Sequence, residues 1–80
     1  MRDVKVLGSG CRSCQLTAEL VEREAAALGV EVNLEKVTDM ADILGWGVMS
    51  TPGVVVDGRV VHAGGVPHVR AVREWLGAST

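Results

Sequence analysis

Cys11 and Cys14 are the only cysteines of the chain, and Arg12 and Ser13 stand between them. Two thiols at that spacing have two chemistries open to them. As a dithiol they attack a disulfide: one thiolate forms a mixed disulfide and the other displaces it. As a pair of soft thiolates they hold Cu(I) or Zn(II). A structural staple is the weakest use, because closing a loop of about four residues restrains the unfolded chain by at most ~2 kcal/mol. The apolar run Val4 to Leu7 and the glycines Gly8 and Gly10 precede the pair, and a helical pattern begins at it. The unpaired N–H groups and positive dipole end of a helix N-terminus favour an anion, which places the reactive thiolate at Cys11. Cys14 falls on the inner stripe of the same helix. Cys11 is therefore the expected nucleophile and Cys14 the resolving thiol. A fall in the Cys11 pKa from about 8.5 to about 7 raises the thiolate fraction at neutral pH roughly 15-fold. The accompanying loss of nucleophilicity leaves a net gain of only about three- to fourfold, so the larger effect of tuning is on the redox equilibrium.

The elements around the pair follow from periodicity. Asp3 to Leu7 alternates as a strand, and Cys11 to Leu28 carries a helical stripe of Cys14, Ala18, Val21, Ala25 and Leu28, stopped by Gly29. Leu16 and Leu20 lie off that stripe, as a helix edge covered by another helix or as a patch for a partner. Val30 to Leu34 alternates as a second strand, which a helical crossover makes parallel to the first. Thr38 is the expected N-cap of a short helix with Asp39 in its first turn and Met40, Ile43 and Leu44 on its apolar side. Met40 is expected as core filler. Asp57-Gly58 between Val54-Val55-Val56 and Arg59-Val60-Val61-His62 is a two-residue hairpin signal. Gly64-Gly65 breaks the second of these strands, Pro67 suits a first helical position, and Val69, Val72 and Leu76 form the stripe of a last helix ending at Gly77. Trp46 and Trp75 read as packing residues. His62 and His68 have no metal-ligand spacing to the cysteines.

Composition narrows the class. Eighty residues make a single domain, residues 1–80, that buries only about 60% of its unfolded surface and has modest stability. A net charge of −2, no basic cluster, and no Tyr or Phe argue against nucleic acid as a partner. No apolar run approaches membrane-spanning length and the N-terminus lacks a signal segment, so no membrane association is expected and the cytoplasm is the default location. Disulfides do not persist there by default, which favours a reactive or metal-binding role for the pair.

The order β-α-β-α-β-β-α, with the cysteines at the first strand-to-helix turn, resembles the thioredoxin-like fold, and most nearly its smallest, glutaredoxin-sized redox-active disulfide proteins. The residues that carry the likeness are Gly10-Cys11-Arg12-Ser13-Cys14, Gly47-Val48-Met49-Ser50-Thr51-Pro52, and the Asp57-Gly58 hairpin followed by Gly64-Gly65-Val66-Pro67. The resemblance implies an α/β protein with a four-stranded mixed sheet and helices on both faces. It implies a disulfide oxidoreductase without cofactor or metal, expected as a monomer. Such a protein reduces the disulfide of a protein or small molecule and is recharged by an upstream reductase. It also implies a cis Thr51–Pro52 bond lying against the cysteines, leaving the backbone of the preceding residue to pair with an extended substrate. Gly10, Arg12, Ser13, Ser50, Thr51, Pro52 and Gly65 then surround the substrate groove or tune the thiols. Two departures stand out. Larger relatives carry an aromatic residue before the first cysteine and Gly-Pro between the pair, where this chain has Gly10 and Arg12-Ser13. They also carry a buried acid six residues before the first cysteine, where this chain has Lys5. The competing Cu(I)/Zn(II) metal-binding or metallochaperone domains typically run β-α-β-β-α-β and end on a strand, which fits this chain less well.

Overall fold

Alternation along the first strand gives the sheet its two faces. β1 (Arg2–Leu7) packs Val4 into one core cluster and Leu7 into the other. The computed structural model describes residues 2–8, 10 and 12–78; Cys11, the expected nucleophile, lies outside the described residues. β1 pairs in parallel with β2 (Val32–Val37), placing Val4 opposite Leu34, and antiparallel with β3 (Gly53–Val56), placing Val4 opposite Val56. β3 continues antiparallel to β4 (Arg59–Ala63), so the sheet order is β2-β1-β3-β4. α1 (Arg12–Leu28) joins the parallel strands, α2 (Met40–Gly45) precedes β3, and α3 (Val69–Arg73) follows β4. The element order and the mixed sheet are those read from the sequence.

One cluster joins Val4, Val54 and Val56 of the sheet to Leu20, Val21 and Ala25 of α1 and to Val72 and Leu76 at the end of the chain. The other joins Leu7, Val37 and Val55 to Ile43 of α2 and to Val48, with half-buried Trp46 against it. Helices therefore cover both faces, α1 and α3 on one and α2 on the other. Asp57 and Gly58 turn the β3–β4 hairpin with φ of 50° and 82°. Asp57 also returns to β1: its amide donates to Asp3 O at 2.8 Å, and its carboxylate accepts from Asp3 N and the Arg2 guanidinium at 3.0 and 2.9 Å. In β4 the register skips Val61, a bulge between the pairs Val55–Val60 and Val54–His62.

Several local expectations change. β2 begins at Val32 and not at Val30, because Gly29 and Val30 are used to close α1: Gly29 N donates to Ala26 O at 3.2 Å and Val30 N to Ala25 O at 2.9 Å. Asp39, not Thr38, is the N-cap of α2, its carboxylate accepting from Ala41 N at 2.8 Å and Asp42 N at 3.4 Å. Only Ile43 of that helix is buried. Met40 and Leu44 are each 57% exposed, so Met40 is not core filler; Val48 and Trp46 fill the space beside Ile43 instead. Leu28 is also exposed, because the cluster takes Leu20, Val21 and Ala25 from α1 and goes no further along it. Leu20 belongs to that core, which removes it from any partner patch with Leu16. Pro67 precedes α3 without entering it: His68 is the N-cap, and its Nδ1 accepts from Arg70 N at 3.0 Å. After α3 the chain makes a wider turn, Glu74–Ala78, in which Gly77 has φ 101°.

Two polar residues of α1 are buried where the sequence pattern shows only apolar ones. Thr17 Oγ1 donates to Ser13 O at 2.7 Å. Glu24 accepts from Arg73 Nε at 2.7 Å, tying α1 to α3, with Arg23 at 3.6 Å. The hydrogen bond from Arg73 holds the Glu24 carboxyl below its usual pKa of 4.5, against the opposing effect of burial. A carboxyl lowered on folding stabilises the fold above its unfolded pKa and loses that effect as pH falls through the folded value. Glu24→Gln is therefore expected to be less stable than the parent at pH 7, with the difference closing below pH 4.5; urea unfolding at a series of pH values measures this. In the core, Ile43→Ala should cost about 2–5 kcal/mol, whereas Leu44→Ala should stay within about 0.5 kcal/mol, by the same denaturant method.

Candidate functional site

The exit of β1 and the first turn of α1 meet at Gly8. Its amide donates to Val37 O at 2.9 Å, extending the parallel ladder by one residue. Cys14, in the first turn of α1, is 5% exposed. A Cβ built on Gly8 would collide with Cys14 Sγ and would stand 3.7 Å from Thr51 Cβ. The absence of a side chain at residue 8 thus lets the sulfur lie directly on the strand, beside the loop that carries Thr51.

That loop leads into β3. The Thr51–Pro52 peptide bond is cis. Pro52 is buried, while Ser50 and Thr51 are exposed. The carbonyl of Pro52 accepts from Gly64 N at 2.9 Å, and a Cβ on Gly64 would stand only 3.3 Å from Ser50 Cβ. The turn after β4 therefore lies against the loop, with Gly64 and exposed Gly65 at φ of 86° and 73°. Met49, 91% exposed, precedes Ser50, and exposed Val66 follows Gly65.

The remaining expected residues line the start of α1. Gly10 is exposed, and its carbonyl accepts from Gln15 Nε2 at 3.4 Å. Arg12 opens the helix as an exposed cation, with no ion pair to any described residue. Ser13 is half-buried and its carbonyl receives the Thr17 hydroxyl. A cavity of about 30 Å³ beside Cys14 is lined by Val6, Gly8, Gly10, Gln15, Lys36 and Thr38. Lys5 is not among them; its ammonium pairs with Glu35 at 3.2 Å. A wider groove between α1 and β2, about 580 Å³, contains no cysteine and offers mainly apolar stems with Glu22 and Lys36. Its size does not make it the reactive site.

The structure thus places Cys14 and the Thr51 loop on either side of Gly8, and ties that loop, through Pro52, to the Gly64–Gly65 turn. Sequence reading did not single out Gly8 as the seat of the sulfur, although a glycine directly after a strand is the available sign. His62, placed by the sequence in a strand without metal-ligand spacing, donates from Nε2 to Gly65 O at 2.8 Å, a bond the sequence does not signal. Trp46 and Trp75 pack against the two cores as expected. Among the described residues no group of three or more His, Cys, Asp or Glu side chains could hold a metal ion, and no helix is long and apolar enough to cross a membrane.

A mixed four-stranded sheet of this order, with a cysteine in the first turn after β1 and a proline loop beside it, defines a thioredoxin-like fold. The thioredoxin domain family matches residues 2–77, and the chain belongs to it. It is similar to a thioredoxin of Methanocaldococcus jannaschii, 37% identical over 73 residues that cover 91% of this chain and 84% of that protein. It is also similar to a thioredoxin of Methanothermobacter thermautotrophicus, 29% identical over 76 residues that cover 95% of this chain and 99% of that one. These relationships support an oxidoreductase in general terms.

Gly8→Ala should destabilise the fold by about 1–3 kcal/mol, the usual effect of forcing a methyl group into filled space. Equilibrium unfolding measures it, and an unchanged midpoint would mean that Cys14 Sγ does not occupy the space beside residue 8.

Proposed function

We propose that the chain is a thiol–disulfide oxidoreductase working through a reversible Cys11/Cys14 dithiol. The observation that carries the reading is the seating of Cys14: a buried thiol at a helix start, resting on Gly8 and beside Thr51, in a chain of the thioredoxin domain family. Cys11 is three residues earlier in sequence, and its assignment rests on that spacing. The Cys11 thiolate attacks one sulfur of the substrate disulfide, forming a mixed disulfide and releasing one substrate thiolate. Cys14, after losing its proton, attacks the Cys11 sulfur. That step releases the second substrate thiolate and leaves the protein oxidised. An upstream dithiol then returns two electrons and two protons.

The surrounding residues fit supporting roles. The backbone at Thr51 pairs with an extended substrate, with Ser50, Pro52, Gly65 and Gly10 forming the groove. Arg12 and Ser13, at the positive end of α1, favour the thiolate. Exposed Met49 and Val66 beside this groove suit a protein substrate better than a small polar one. The working unit is a single domain, residues 1–80, acting as a monomer in the cytoplasm. The helix α2 between β2 and β3 supports this reading over the metal-binding one, whose β-α-β-β-α-β domains have no helix there.

Cys14→Ser is expected to trap a mixed disulfide on Cys11 when mixed with a disulfide-bonded protein, whereas Cys11→Ser traps none. Non-reducing gels and mass spectrometry detect the adduct. If Cys14→Ser yields no adduct and the parent instead binds Cu(I) or Zn(II) tightly through two thiolates, the exchange reading is wrong.

A further inference from the structure

We propose, resting on the oxidoreductase reading above, that His62 is a positioning residue for protein substrates: its imidazole fixes the Gly64–Gly65 turn against the Ser50–Pro52 loop. His62 stands near the end of β4, half-buried, with Nε2 2.8 Å from Gly65 O. A carbonyl only accepts, so Nε2 carries the proton in this bond. The ring centroid lies 5.8 Å from that of Trp75 at an interplanar angle of 48°, and Trp75 packs against the core. The imidazole is thus backed by the core on one side and holds the turn on the other.

The turn needs such a hold. Consecutive glycines have more backbone freedom than any other pair of residues. Among the described residues, the hydrogen bonds that fix this pair are Gly64 N to Pro52 O and His62 Nε2 to Gly65 O. The first joins the turn to the proline loop, and the second sets the orientation of the next peptide group. Without His62 the turn samples other orientations, and a substrate lying across it must order those glycines as it binds. A small disulfide that reaches only the thiols meets no such cost. His62 therefore acts on the binding of large substrates and not on the exchange step.

The test compares the parent with His62→Phe and His62→Gln. Phenylalanine keeps a ring on Trp75 and removes the N–H; glutamine returns an N–H close to the position of Nε2. Each prereduced protein is mixed with excess insulin, as a protein disulfide, or with a small aryl disulfide, and the single oxidation turnover is followed by stopped flow. For His62→Phe the half-saturating insulin concentration should rise about three- to tenfold, the effect of one lost hydrogen bond. The limiting rate and the small-disulfide rate should hold within about twofold, and His62→Gln should recover most of the loss. Equal effects on both substrates, no effect on either, or no recovery in His62→Gln would overturn the assignment. Amide hydrogen exchange at Gly64 gives a second readout, expected to be several-fold faster in His62→Phe. Unchanged exchange there counts against the clamp. A parent protein that oxidises with neither disulfide overturns the oxidoreductase reading, and the Gly64 exchange rate then still judges the clamp by itself.

Discussion

Cys14 Sγ occupies the volume that a side chain at residue 8 would need. This close approach couples three segments that are distant in sequence. β1 must end in a residue with no Cβ, α1 must start close enough to bring its first inward side chain onto the strand, and the Thr51 loop must close the remaining side. The parallel pairing of β1 with β2 continues through the Gly8 amide, so the backbone is still hydrogen-bonded to its neighbour where the sulfur rests. The thiol is thereby seated on hydrogen-bonded backbone, which does not shift as a loop would.

The two cores keep α1 in that place. On one face, Leu20, Val21 and Ala25 pack onto Val4, Val54 and Val56 while Val72 and Leu76 close the layer from the chain's end. The Glu24–Arg73 ion pair ties α1 to α3 at the edge of this layer. On the other face, Leu7 and Val55 anchor Ile43 and Val48, and Val48 packs closely over Gly53 at the start of β3. The second core therefore sets the path of the chain into the proline loop, and the first sets the helix that presents Cys14.

Much of this was legible from residue types. Asp57-Gly58 marked the hairpin because a two-residue turn has few alternatives, and the crossover from β1 through α1 required a parallel β2. The cysteine pair drew attention to the β1–α1 turn because two thiols at that spacing have few uses, whereas Thr51-Pro52 entered only through the family resemblance. What escaped depends on contacts between distant residues. Glu24 reads as a surface residue until Arg73 is placed beside it, whereas the burial of Leu20, off the stripe of α1, is the covered helix edge that the pattern already allowed. Met40 and Leu44 have the spacing of an inner face, but a six-residue helix pressed to the sheet through Ile43 alone cannot bury them. Gly8 offers only the sign of a glycine directly after a strand, and the contacts of His62 with Trp75 and Gly65 appear only in the fold.

The bulge at Val61 has a consequence for the far end of β4. In an unbroken ladder Val61 would oppose Val54 and His62 would oppose Gly53, on the side of the sheet occupied by α2. The extra residue shifts the parity, so that His62 opposes Val54 and emerges on the side of Trp75. Val61 packs against that same core, so two successive residues serve one face. Chain length between the hairpin and the glycine turn is therefore itself a determinant of which side of the sheet the imidazole occupies. Removing one residue from that interval would carry the ring to the opposite face while leaving every side chain's chemistry unchanged.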